Sequence, residues 1–208
     1  MIERYAARFD AVEINSSFHR PHRRSTYERW AASVPASFRF AVKLPRTITH
    51  DRRLVDCADL LARFREEVGG LGGKLGPMLV QLPPSLAFDG GIAAAFFDGL
   101  GHDRVACEPR HASWFTADAD ALLVAHRVAR VAADPARVPE AARPGGWRGL
   151  TYARWHGSPA IYRSTYDKDA LADHAAIARA TAGESWTIYD NTMVGGATAN
   201  ALALRAML

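Results

Sequence analysis

The chain has 208 residues, 49% of them hydrophobic and 23% charged, with a net charge of +4 and a pI near 9.3. This length fits one domain, and the composition excludes a disordered or low-complexity chain. No apolar run approaches the roughly 20 residues that span a bilayer, and the opening MIERYAARFD carries charge where a signal peptide needs an apolar stretch, so no membrane partner and a cytoplasmic location are expected.

The basic excess is almost all arginine, since lysine occurs only as Lys43, Lys74 and Lys168. Such a skew reads as a compositional habit and not as a nucleic-acid signature. Cys57 and Cys107 show neither disulfide nor metal-ligand spacing and are expected to be reduced packing residues.

Short apolar runs alternate with helix-like segments along the chain. AVEIN (residues 11–15) reads as a strand, followed by a loop and a helix over 23–34. FRFAVKL (38–44) is the next strand, and a helix is expected around 56–68. PMLVQL (77–82) is a strand stopped by Pro83 and Pro84, and 91–100 is helical. RVACEP (104–109) is a strand, with a helix over 118–126. ARVAAD (129–134) is a strand, and a Pro- and Gly-rich loop runs to Gly149. LTYARWHG (150–157) is a strand, 169–182 is helical, SWTIYDN (185–191) is a strand, and 197–207 is the last helix.

Strict alternation of this kind demands parallel strands with right-handed crossovers. Two folds meet it, the open doubly wound sheet and the TIM-type (β/α) barrel. An open sheet usually carries a Gly-rich phosphate loop after a strand. Here GGLGGKLG (69–76) precedes a strand, and no GxGxxG is present. The expected fold is therefore α/β, a TIM-type parallel barrel filling residues 1–208 as a single domain. The chain opens in a helical pattern with no strand ahead of it and offers seven strands, one short of a closed barrel, so a missing first strand is expected.

Side chains alternate faces along a strand, and in a barrel one face looks inward. Placing the apolar residues against the helices turns Glu13 and Asn15, Ala41 and Lys43, Leu79 and Gln81 inward. The same rule turns in Ala106, Glu108 and Arg110, then Ala132 and Asp134. It also turns in Tyr152, Arg154 and His156, and lastly Thr187, Tyr189 and Asn191. Every strand delivers a polar residue at its carboxyl end, where barrel enzymes place their chemistry. Burying that many polar groups without use is costly. The plainer reading is a salt-bridge network in which Glu13, Lys43, Glu108, Arg110 and Arg154 neutralise one another.

The functional reading makes Glu13 and Glu108 acid/base groups and His156 a proton shuttle. Lys43, Arg110 and Arg154 would clamp an anion, with Asn15, Gln81, Asp134 and Asn191 completing the ligand site. A divalent metal on Glu13, Glu108, Asp134 and His156 is compatible, although no motif implies one and the inner set holds a single histidine. His19, Arg20, His22, Arg23 and Arg24, followed by Arg46, His50, Arg52 and Arg53, form a basic rim in the loops at the same strand ends. Phe18, Trp114, Tyr162 and Tyr166 lie in such loops too, and could stack on a ring. Two functions follow. One is an enzyme, a hydrolase or isomerase acting on a small phosphate-bearing anion. The other is a non-catalytic nucleic-acid binder using the rim.

The segments VEINSSFHR, RFAVKLPRTITH, GPMLVQLPPSL and ACEPRHASW, with the ending DN…GGATANALAL, resemble the YecE-like family, the domain of unknown function 72. The likeness runs through the whole chain in the family's order. It implies a TIM barrel with a pocket at the strand ends, and no established reaction. The family pattern opens with a GT-x-GW strand that is absent here, and it ends in Asn-Asn where this chain has Asp190-Asn191. At the level of fold alone it is distantly similar to metal-dependent barrel enzymes of the sugar isomerase and abasic-site endonuclease types.

Overall fold

Each of the seven expected apolar runs forms a strand in the computed structural model, which describes residues 2–181 and 183–208. The fold is mixed α/β with mostly parallel strand pairing. The chain divides into two compact units, Met1–Val105 and Ala106–Leu208. No helix among the described residues is long and apolar enough to cross a membrane.

In the first unit α1 (Ile2–Ala6) leads to β1 (Ala11–Ile14), α2 (Ser16–His19), α3 (Arg24–Ala32), β2 (Arg39–Lys43), α4 (Ala58–Val68), β3 (Leu75–Gln81) and α5 (Gly90–Leu100). β1 pairs with β2 and β2 with β3, both parallel. Phe40, Val42 and Leu44 are fully buried on one face, as are Leu61, Phe64 and Val68 of α4 and Phe96, Phe97 and Leu100 of α5. Burial of that apolar surface is the main stabilising term. Asp89 caps α5 by accepting the Ile92 amide at 2.9 Å, and Gly101 ends the helix in the left-handed region at φ 62°. The Gly69–Lys74 turn leads into β3, as its sequence position requires.

In the second unit β4 (Val105–Glu108) is followed by α6 (Ala117–Ala125), β5 (Val128–Arg130), β6 (Ala132–Asp134), β7 (Gly145–Gly146), β8 (Leu150–Trp155), α7 (Lys168–Arg179), β9 (Glu184–Tyr189) and α8 (Gly196–Met207). β6, β8 and β9 are parallel neighbours, whereas the two-residue β7 runs antiparallel to β5. Thr116 and Asp167 cap α6 and α7, accepting the amides of Ala119 and Ala170 at 3.3 and 3.0 Å.

Two strands sit in the opposite phase from the one expected. The run 129–134 is not one strand but two, broken at Val131, whose amide donates to the Cys107 carbonyl at 2.8 Å. Alternation nevertheless continues through the break: Arg130 pairs with Asp120 of α6 and Ala132 packs beside Trp155, so Arg130, Ala132 and Asp134 form the helix-facing set. Ala133 therefore stands opposite Arg154, while Asp134 stands opposite Trp155. In β9, Ile188 faces Arg154's position and Tyr189 faces Trp155's. Asp134 and Tyr189 thus share the face on which Ala132, Ala153 and Trp155 pack with Tyr166, Ile177 and Tyr189. His174 of α7 stacks on Trp155 with ring centroids 3.9 Å apart and donates or accepts at Tyr189 Oη over 2.9 Å. Burial depresses the His174 imidazole to about 4, so it packs there as the neutral ring.

Candidate active site

The polar residues of the first unit keep the expected phase. Glu13 lies opposite Ala41 and Lys43 opposite Leu79, with the largely buried Gln81 two residues further along β3 on that face. Asn15 Nδ2 donates to Glu13 Oε1 at 2.8 Å. The Lys43 ammonium sits 4.0 Å from the centre of the Phe18 ring, and that ring meets His50 edge-on. The basic rim is partly spoken for. Arg24 pairs with Glu28 at 3.0 Å, Arg46 with Asp51 at 3.2 Å, and His22 packs against Tyr27 and Trp30.

The second unit holds a tighter set, built at the carboxyl ends of β4 and β8. Arg154, 1% exposed, donates from Nη1 to Glu108 Oε2 at 2.6 Å, and its Nη2 lies 3.5 Å from Asp190 Oδ2. Arg110 reaches the other Glu108 oxygen from Nε at 3.0 Å and Nη2 at 2.9 Å. Burial alone pushes the Glu108 carboxyl up, but the charges of Arg154 and Arg110 outweigh it and hold the group at about 2. A carboxylate held that low is a poor proton acceptor near neutrality. In this arrangement Glu108 anchors two arginines.

His156 is buried and tethered at both ring nitrogens. Arg154 Nη1 lies 3.3 Å from Nε2, and a guanidinium can only donate, so Nε2 accepts. Nδ1 then carries the hydrogen and donates to Asp190 Oδ2 at 3.1 Å. Proton transfer through Nε2 requires the Arg154 contact to open. Gly157 follows with φ 94°, and a Cβ there would come within 2.8 Å of the Ser164 carbonyl. Gly157→Ala is expected to cost about 1–3 kcal/mol in urea unfolding, because the turn after His156 demands both positive φ and close approach.

Glu108, Arg110 and His156 line a cavity of about 180 Å³ with Pro109, Ala133, Pro135, Arg137, Ala141, Ile161 and Tyr162. Arg110 spends its contacts on one carboxylate oxygen, which leaves donors of its five N–H groups for a ligand, and Arg137 is exposed at the same cavity. Two expected ligand residues lie outside the lining of this cavity. Asp134 accepts the Tyr166 hydroxyl at 2.7 Å on the opposite face. Asn191, fully buried, donates to Asn200 Oδ1 at 2.9 Å and to the Ser164 carbonyl at 3.0 Å, tying α8 to the loop before α7. Among the described residues no group of three or more His, Cys, Asp or Glu is arranged to hold a metal ion.

A family model described as "Protein of unknown function DUF72" matches residues 1–208. The chain belongs to the DUF72 family. Over 82 residues this DUF72 chain is 33% identical to the UPF0759 protein YecE of Escherichia coli K12, a match covering 39% of the chain and 30% of YecE. A crystal structure of a DUF72 protein from Enterococcus faecalis V583 superposes with a TM-score of 0.86 at 20% identity, covering 100% of this chain and 92% of the other. A Thermotoga maritima MSB8 DUF72 structure gives 0.79 at 22% identity, covering 96% and 84%. At such identities the likeness shows the shared fold. The residues that sequence reasoning missed in this DUF72 chain are Asp190 and Arg137. The departure from Asn-Asn at Asp190 was the visible signal for the first, and nothing in the local pattern marked the second.

Proposed function

We propose that the second unit binds a small phosphate-bearing anion in the cavity beside Glu108, as the ligand site of an enzyme of hydrolase or isomerase type. The observation that carries this is the arginine pair: Arg110 is fixed by Glu108 with donors to spare, and Arg137 is exposed at the same cavity. Glu108 and Asp190 are matched in charge by Arg154 and Arg110, so Arg137 leaves the site electropositive. The His156–Asp190 pair supplies a proton-transfer group once Nε2 is released. We propose further that the alternating strands and helices are those of a TIM-type barrel in a single domain. The alternation, the parallel pairing within each unit and the likeness to the two crystal structures support it.

The rim arginines support nucleic-acid binding less well, since Arg24 and Arg46 are matched by acids. Calorimetric titration with inorganic phosphate tests the choice. Arg110→Ala is expected to weaken phosphate binding about 10-fold or more, the loss of a charge-assisted pair of contacts. Unchanged affinity in that variant would remove the reading, and steeply salt-dependent binding of DNA lost in an Arg20, Arg23 double alanine variant would replace it.

A further inference from the structure

We infer that the anion taken by this cavity is a phosphate monoester carrying a flat aromatic ring, and that Tyr162 is the residue selecting that ring; this rests on the phosphate reading above. The cavity, about 180 Å³, suits a phosphate group but falls short of the roughly 300–1,000 Å³ that enclose an organic ligand. The remainder of any larger ligand has to lie outside it, over the residues at its edge. Besides Arg137, those residues are Ile161 and Tyr162, 48% and 40% exposed.

Tyr162 holds a backbone conformation that its side chain disfavours, with φ 65°. The conformation is locked from two sides. The Tyr162 amide donates to the His156 carbonyl at 2.5 Å, and its carbonyl accepts the Met193 amide at 3.0 Å. A strained aromatic residue is ordinarily repaid by burial, yet this ring is exposed and makes an edge-on contact with His156 at 5.8 Å. Strain without burial at the edge of a charged cavity is what a recognition residue shows. The surroundings fit a ring beside the charges of the cavity. Met193 and Val194, joined to Tyr162 through that amide, are 60% and 62% exposed, so together with Ile161 and Tyr162 the edge offers apolar contact.

Equilibrium titrations with inorganic phosphate and phenyl phosphate test this. The wild-type chain is expected to bind phenyl phosphate about 10-fold tighter than phosphate, the scale of one aromatic stacking contact. In Tyr162→Gly, where the backbone fits without strain, the ratio is expected to fall to about one while the melting temperature rises. Tyr162→Phe should keep the ratio. A ratio of one in the wild type, or one that persists in Tyr162→Gly, overturns the ring inference and leaves phosphate binding standing. Failure of both probes to bind the wild type overturns both.

Discussion

Arg154→Met is expected to lower the unfolding free energy by about 3–5 kcal/mol in urea denaturation, the largest single effect in the molecule. The guanidinium is almost wholly buried and touches Glu108, Asp190 and His156 together. Met fills much of the volume but takes from Glu108 and Asp190 the guanidinium they share. The cost is that of uncompensated charge away from water, more than that of lost contact. Adding Glu108→Leu to Arg154→Met removes the stranded carboxylate. The double variant should therefore be less destabilised than the sum of the two single changes by about 1–3 kcal/mol. Additivity would mean that the pair does not act as a unit.

Acid unfolding is expected to proceed along two separable limbs. His174 has its folded value depressed from 6.5 to about 4, so the unfolded chain binds the proton more readily. Its share of stability is complete above about 6.5 and is lost as pH falls toward about 4. Glu108 is likewise depressed, from 4.5 to about 2, and its share is lost between those values. For Glu108, fully buried, the linkage is on the order of 3 kcal/mol. His174→Phe keeps the stack on Trp155 and should flatten the upper limb alone. Glu108→Gln should flatten the lower one alone. Unfolding free energies measured from pH 7 down to pH 2 check both. An unaltered lower limb in Glu108→Gln would show that other carboxylates govern it.

Strand positions were legible because each is a short apolar run bounded by Gly, Pro or charge, a signal that does not depend on distant residues. The phase of β1, β2, β3, β4 and β8 was legible for the same reason: in FAVKL and TYARWH one alternating set is plainly polar at its end. The phase of β6 was hidden because both of its alternating sets are small or apolar before Asp134, and that carboxylate was taken to mark the inward face although it accepts the Tyr166 hydroxyl on the other. In β9 the misleading residue was Tyr189, whose hydroxyl suggested a polar face. Its partner is His174, a helix residue that no local pattern connects to it. Trp186 stacks on Tyr152 with rings 5° from parallel, a contact between strands that no local pattern marks. Of the candidate site, Glu108, Arg110, Arg154 and His156 were found by alternation and do converge. Asp134 and Asn191 were assigned by the same rule one residue out of step, and the error also hid Asp190.

The alternation from Arg130 to Asp134 sets how this stretch can change in length. Removing one residue there would carry Asp134 across to the cavity side, placing a further carboxylate beside Glu108. It would also leave the Tyr166 hydroxyl without its acceptor and push Ala133 among the rings packed on Trp155. An exposed loop has no alternation to preserve and can gain or lose a residue with no such exchange. Insertions and deletions in relatives of this chain should therefore gather in the loops and spare the three residues before Asp134.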